Sequence, residues 1–118
     1  MKKILIAEDN DSNFILMTYI LKKYYAYERA KNGKEAVDLV KDNTYDMVLM
    51  DIKMPIMDGL EATKAIKEIC PDVPIVALTA NAFDSDRALA LEAGCIDFLS
   101  KPVSSDLCIK TIRKYLGD

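Results

Sequence analysis

Three carboxylates stand where short apolar runs end. Glu8 and Asp9 follow Ile4-Leu5-Ile6-Ala7, and Asp51 follows Met47-Val48-Leu49-Met50. Brought within a few ångströms of one another, such groups repel, and each is driven toward protonation unless a cation lies among them. Mg²⁺ suits this arrangement, because it takes oxygen ligands, keeps several waters and is commonly held by one or two carboxylates together with a phosphate. The plain alternative is that acidic residues at strand ends are solvated turn formers, which describes Glu8 and Asp9 equally well when they are taken alone. Asp51 carries more information, since it heads Asp51-Ile52-Lys53-Met54-Pro55-Ile56-Met57-Asp58-Gly59. Pro55 fixes its own φ and Gly59 permits a left-handed or close-packed backbone, so this loop can be held over the strand end. A carboxylate in that position can attack phosphorus and form an acyl phosphate. Two further groups follow apolar runs: Thr79, a hydroxyl donor after Leu78, and Lys101, a flexible cation after Leu99-Ser100. Singly, a helix cap and an exposed lysine describe them well. Together with the carboxylates they make a complete phosphoryl site of metal ligands, nucleophile, hydroxyl donor and cation.

These residues share a site only if the chain brings the strand ends to one edge. Apolar runs at Ile4–Ala7, Met47–Met50, Ile75–Leu78 and Ile96–Leu99, with a weaker strand over Tyr25–Ala30, alternate with amphipathic stretches of helical length. That pattern predicts five βα units around a parallel sheet. Phe14, Met17 and Leu21 form one helical stripe with Leu16 and Ile20 beside it; Ala36, Val37 and Val40 mark a second helix. Asn32 caps that second helix, with Glu35 three residues on reaching back in a capping box. A third helix runs over Gly59–Ile69 and stops before Pro71. The fourth, over Asp84–Glu92, is apolar mainly through alanine and leucine and is expected to be the least firmly packed. The fifth, over Ser104–Leu116, places Ile109, Ile112 and Leu116 on one face. The predicted fold is α/β, a doubly wound five-stranded sheet of order 2-1-3-4-5 in a flavodoxin-like sandwich, in which strands 1 and 3 meet at the switch point and their carboxyl ends form the ligand edge.

With 118 residues, 51% of them hydrophobic, the chain suits one core, and a single domain over residues 1–118 is expected. Sixteen basic against 19 acidic residues give a net charge of −3, against a general nucleic-acid surface. No apolar run reaches the roughly 18 residues that span a bilayer, and no secretory h-region opens the chain, so a cytoplasmic location is expected. There is no histidine, which excludes imidazole-based triads, histidine-ligated metals and a phosphohistidine carrier. Cys70, Cys95 and Cys108 lack a CxxC spacing and read as buried or half-buried free thiols.

The landmarks Glu8-Asp9-Asn10, Asp51 with Met54-Pro55 and Asp58-Gly59, Leu78-Thr79-Ala80, Ala93-Gly94 and Lys101-Pro102 jointly resemble the receiver domain of two-component response regulators, over essentially the whole chain. The resemblance implies Asp51 as phosphoacceptor, and Glu8 and Asp9, with Asp51 and the backbone carbonyl of Lys53, as the Mg²⁺ ligands. It implies Thr79 as the switch hydroxyl, Lys101 as the phosphoryl-binding cation and Phe98 as a switch aromatic that turns inward; an ordinary core phenylalanine is the competing reading of Phe98. It further implies a cis Lys101-Pro102 bond, a tuning of acyl-phosphate lifetime by Lys53 and Asn81, and a change in the surface of helix 4, strand 5 and helix 5 on phosphorylation. The implied partners are a histidine kinase or phosphotransfer protein as donor, a downstream protein or tethered output domain, and a homodimer formed on phosphorylation. Such a chain is a switch that catalyses only its own phosphorylation and slow dephosphorylation, either a stand-alone regulator or the receiver of a hybrid sensor kinase. Met54, Ile56 and Met57 either dock a partner or pack the loop.

Two other readings compete. Mg²⁺-dependent phosphatases of the haloacid dehalogenase type use an Asp-x-Asp opening whose second aspartate is a general acid, and here that position is Lys53. A degenerate receiver acting only as an interaction module would not need all the site residues that this chain carries. A flavodoxin-like cofactor binder is disfavoured because Glu8-Asp9 would repel a phosphate.

Overall fold

The computed structural model describes residues 1–80 and 84–117, so Asn81 lies outside the described residues. In chain order the elements are β1 (Lys3–Ala7), α1 (Asp11–Leu21), β2 (Ala26–Ala30), α2 (Gly33–Asp42), β3 (Met47–Asp51), α3 (Gly59–Ile69), β4 (Ile75–Thr79), α4 (Asp84–Ala93), β5 (Asp97–Ser100) and α5 (Ser105–Leu116). All strand pairs are parallel, in the order β2-β1-β3-β4-β5. The architecture read from the sequence is the one observed. Element boundaries shift by one residue: β3 extends to include Asp51, β4 extends to include Thr79, and β5 begins at Asp97 and ends at Ser100.

Strand periodicity divides the core in two. Leu5, Ala7, Val48, Met50, Ile75 and Ala77 point to the face covered by α2, α3 and α4, where they meet Ala36, Val40, Ala62, Ile66 and Ala90. Their neighbours Ile4, Ile6, Met47, Leu49, Val76 and Leu78 point to the other face and meet Met17, Leu21, Cys108 and Ile112 of α1 and α5. Because the central strands are covered on both faces they read as continuous apolar runs, the mark of a buried parallel sheet.

Four of the helices that lead away from the site edge have a described local start signal. The side chains of Asn10, Asn32, Asp58 and Ser104 cap α1, α2, α3 and α5, accepting from the backbone N–H groups of Asn13, Glu35, Glu61 and Leu107. The capping box at α2 differs in one detail from expectation: Glu35 Oε1 accepts from the backbone of Lys31, at 3.2 Å, one residue before the cap. In α1, Leu16 is 40% exposed, so the buried stripe is Met17, Ile20 and Leu21 with Phe14 packed against its edge. Among the described side chains of α4 only Ala90 and Ala93 are buried, which is the thin contact that its composition predicts. No helix of the described residues is long and apolar enough to cross a membrane.

Candidate functional site

Strand order decides what meets. Ala7 pairs with Met50 and Asp51 with Leu78, so the residues that follow β1 lie beside the end of β3. Thr79 pairs with Ser100, and the backbone N–H of Lys101 donates to Thr79 O at 2.8 Å, which carries Lys101 to the same edge. The Lys101-Pro102 peptide is cis.

Carboxylate oxygens of Glu8, Asp9 and Asp51 lie within 4.8 Å of one another, the one such cluster of metal-ligating groups among the described residues. Glu8 and Asp51 are buried, at 1% and 5% exposure, and Asp9 is exposed. Lys101 Nζ bridges the two buried members, 2.8 Å from Glu8 Oε1 and 3.0 Å from Asp51 Oδ2. Burial, then the neighbouring Asp51, push the Glu8 carboxyl above the ordinary range, and Lys101 pulls it back only in part. Burial alone would lower Lys101, but its hydrogen bonds and charge pairing with Glu8 and Asp51 outweigh that and hold its ammonium above the usual lysine value. One ammonium faces three carboxylates. The excess charge and the all-oxygen donor set therefore fit a hard dication such as Mg²⁺.

Asp51, Asp9, Glu8, Lys101, Thr79 and Asp86 border one cavity of about 370 Å³, and Lys53 lies on its wall. The residues that the sequence offers as catalytic or metal-binding are thus brought to one place. Thr79, at the last position of β4, is buried, and its hydroxyl donates to Asp86 Oδ2 at 3.5 Å. Phe98 lies apart from the cavity lining. It is half-buried on β5, packed against the α2–α4 side of the core with the Arg87 guanidinium 4.6 Å over its ring.

In the loop after Asp51, the close-packed one of the two backbones expected at Gly59 is observed. Gly59 is needed for close approach and not for a left-handed backbone: a Cβ there would lie 2.1 Å from Asp51 O. Gly33 plays the same part from α2, where a Cβ would meet Met57 O at 2.3 Å, and its N–H donates to that carbonyl. The positive φ falls on Ile56, at 71°, inside a three-residue turn closed by the Met57 N–H on Pro55 O. Of the three apolar residues here, Met54 and Met57 pack against the core while Ile56 is 79% exposed.

Sequence reading missed two residues. Arg29, near the end of β2, donates through Nε to Glu8 O at 3.1 Å, pairs with Asp11 at 2.9 Å and lies 4.5 Å over the Phe14 ring, tying the Glu8–Asp11 loop to the edge strand. Nothing in its local spacing marks it, because its partners Glu8, Asp11 and Phe14 are 21, 18 and 15 residues away in the chain. Asp86 is the other; as an acidic residue in a helix's first turn it looks like ordinary dipole compensation.

With the geometry in hand, comparison with known proteins is decisive. The family model of the response regulator receiver domain matches residues 4–113. The chain belongs to that family. It is 43% identical over 132 residues to hybrid signal transduction histidine kinase B of Dictyostelium discoideum, covering 99% of this chain but 7% of the kinase. It is 38% identical to the polar-differentiation response regulator DivK of Brucella anthropi, covering 99% of this chain and 98% of DivK. Among solved structures, the receiver domain of the sensor histidine kinase PA1611 from Pseudomonas aeruginosa superimposes with a TM-score of 0.92 at 35% identity, covering 99% of this chain and 98% of that one. That receiver holds a magnesium ion coordinated in its active-site cleft. The chain is therefore a receiver domain of two-component phosphorelay signalling with the flavodoxin-like fold.

Proposed function

We propose that Asp51 is the phosphoacceptor of this receiver and that the protein is a switch, catalysing only its own phosphorylation and slow dephosphorylation. The observation that carries this reading is the single cavity in which buried Asp51 faces Glu8, Asp9 and Thr79 while pairing with Lys101. A carboxylate oxygen of Asp51 attacks the phosphorus of a phosphohistidine. The new O–P bond forms as the donor's N–P bond breaks, and the electron pair of that bond leaves on the imidazole nitrogen, which takes up a proton. Lys101, released from part of its pairing with Asp51, holds a phosphoryl oxygen, and the Thr79 hydroxyl donates to another. Glu8, Asp9, Asp51 and the Lys53 carbonyl would hold Mg²⁺, which supplies charge neutralisation for the transferred group. The Pseudomonas receiver with its magnesium ion supports that assignment.

The donor in this reading is a histidine kinase or phosphotransfer protein. Residues 1–118 act as a single domain in the cytoplasm, either as a free regulator or within a hybrid kinase, and phosphorylation changes the α4–β5–α5 surface that a downstream protein, a tethered output domain or a second copy reads. The phosphatase alternative is disfavoured by Lys53, which puts an ammonium where an Asp-x-Asp enzyme has its general acid. Incubation with Mg²⁺ and acetyl phosphate should add one phosphoryl group, seen by intact mass, and Asp51→Asn should abolish it. Failure of the wild type to form the adduct, or persistence of the adduct in the variant, overturns the assignment.

A further inference from the structure

Thr79 and Phe98 lie on different strands, yet both are contacted by consecutive residues in the first turn of α4. The Thr79 hydroxyl donates to Asp86 Oδ2 at 3.5 Å, and the Arg87 guanidinium lies 4.6 Å from the centre of the Phe98 ring. Asp86 also forms part of the wall of the cavity that contains Asp51. We propose that Asp86 and Arg87 are a paired positioning device: they hold Thr79 and Phe98 in the unphosphorylated arrangement, and Asp86 competes with the phosphoryl group for the Thr79 hydroxyl. The inference rests on Asp51 being the phosphoacceptor and deepens that reading by naming residues of this chain that set its equilibrium.

The competition follows from valence and charge. Thr79 has one hydroxyl proton, and giving it to a phosphoryl oxygen takes it from Asp86. A phosphoryl group brings close to two negative charges into a cavity that Asp86 borders, so the carboxylate is both outcompeted for Thr79 and repelled. Arg87 is the next residue on the same turn, so displacement of Asp86 also carries the guanidinium from the Phe98 ring and removes its cation–π contact. One local movement thereby frees both switch side chains. The helix that must move is the one whose described side chains bury only Ala90 and Ala93, so little packing opposes it. A first-turn aspartate also compensates the helix dipole; that role alone would leave the effect of Asp86 on phosphoryl binding independent of Thr79.

The test uses beryllofluoride with Mg²⁺ as a non-covalent phosphoryl mimic, its affinity measured by calorimetry. Asp86→Ala should tighten binding about three- to tenfold, the size of one weak charge-assisted hydrogen bond. Asp86→Asn keeps an acceptor but loses the charge, and should give a smaller gain. In a Thr79→Ala background the Asp86→Ala gain should shrink to the part that removal of the carboxylate charge alone supplies, since the hydrogen bond the two residues share is already gone. Arg87→Ala should shift the Phe98 ring resonances before any mimic is added. Unchanged or weaker binding in both Asp86 variants, or an equal gain without the Thr79 hydroxyl, overturns the inference. Circular dichroism establishes that each variant is folded, and Asp86→Asn, nearly isosteric, keeps the test available if Asp86→Ala is not. A wild type that neither binds the mimic nor forms an Asp51 adduct would instead overturn the functional reading itself.

Discussion

At the scale of single residues, the site gives up stability for chemistry. Glu8 and Asp51 are buried together and share one ammonium, while Asp9 stands beside them, and carboxylates crowded in this way are held only by the surrounding fold. Asp51→Asn removes one of the charges and leaves the Glu8–Lys101 pair, so the variant should be more stable than the wild type by about 1 kcal/mol in urea unfolding without metal, a common trade at functional sites. Millimolar Mg²⁺ should reverse the order. It stabilises the wild type by mass action, and it should stabilise Asp51→Asn much less, as urea midpoints with and without the ion will show. The thiols give a second residue-scale expectation. Burial pushes Cys108 up to about 12 and raises Cys95 as well, whereas Cys70 is only half-buried. Iodoacetamide at neutral pH should therefore modify Cys70 in the native protein and spare the other two until it unfolds, as peptide mapping will show.

At the scale of elements, the loop after β3 is held by backbone approaching backbone. Gly59→Ala would drive a Cβ into Asp51 O, and the helix cannot retreat because the Gly59 N–H donates to Ile52 O at 2.7 Å. The expected cost is about 3 kcal/mol or more, with loss of phosphoryl acceptance, measured by thermal unfolding and adduct mass. On the opposite edge, the Tyr45 hydroxyl donates to Glu28 Oε1 at 2.5 Å, joining the segment before β3 to edge strand β2, and Lys3 pairs with the same carboxylate at 3.2 Å. Tyr45, then Lys3, hold Glu28 below its ordinary value of 4.5. A carboxyl lowered in the folded state contributes stability above its unfolded value and loses it as pH falls through the lower folded one. Tyr45→Phe should accordingly be less stable at pH 7 by under about 1 kcal/mol, since Glu28 is partly exposed, and the gap should narrow below about pH 4. Chemical denaturation across that range measures it.

At the scale of the whole molecule, stability is uneven in a way that suits a switch. The central strands are closed on both faces by large apolar side chains, whereas α4 rests on alanines and touches the site through Asp86. Amide exchange should be slowest in β1, β3 and β4 and markedly faster in α4, and phosphorylation should change exchange in α4 and β5 before it changes the central sheet. Equal protection of α4 and the central strands would contradict this expectation.

The sequence by itself determined the fold class, the five strands and five helices, and the identity of Glu8, Asp9, Asp51, Thr79 and Lys101 as groups at strand ends. Those features are legible because they are local: strand burial writes itself as apolar runs, helix starts as capping residues, and the parallel βα pattern leaves a single edge for the strand ends. What the tertiary structure decided depends on residues far apart in the chain. Only packing shows that Gly59 and Gly33 serve close approach while Ile56 takes the positive φ, that Met54 and Met57 pack while Ile56 is exposed, and that Arg29 braces the Glu8 loop. The same holds for the α4 contacts, since Asp86 and Arg87 in sequence are two ordinary charges near a helix start. Their meeting with Thr79 and Phe98 is set by where α4 crosses the ends of β4 and β5, and no spacing within the helix encodes that crossing.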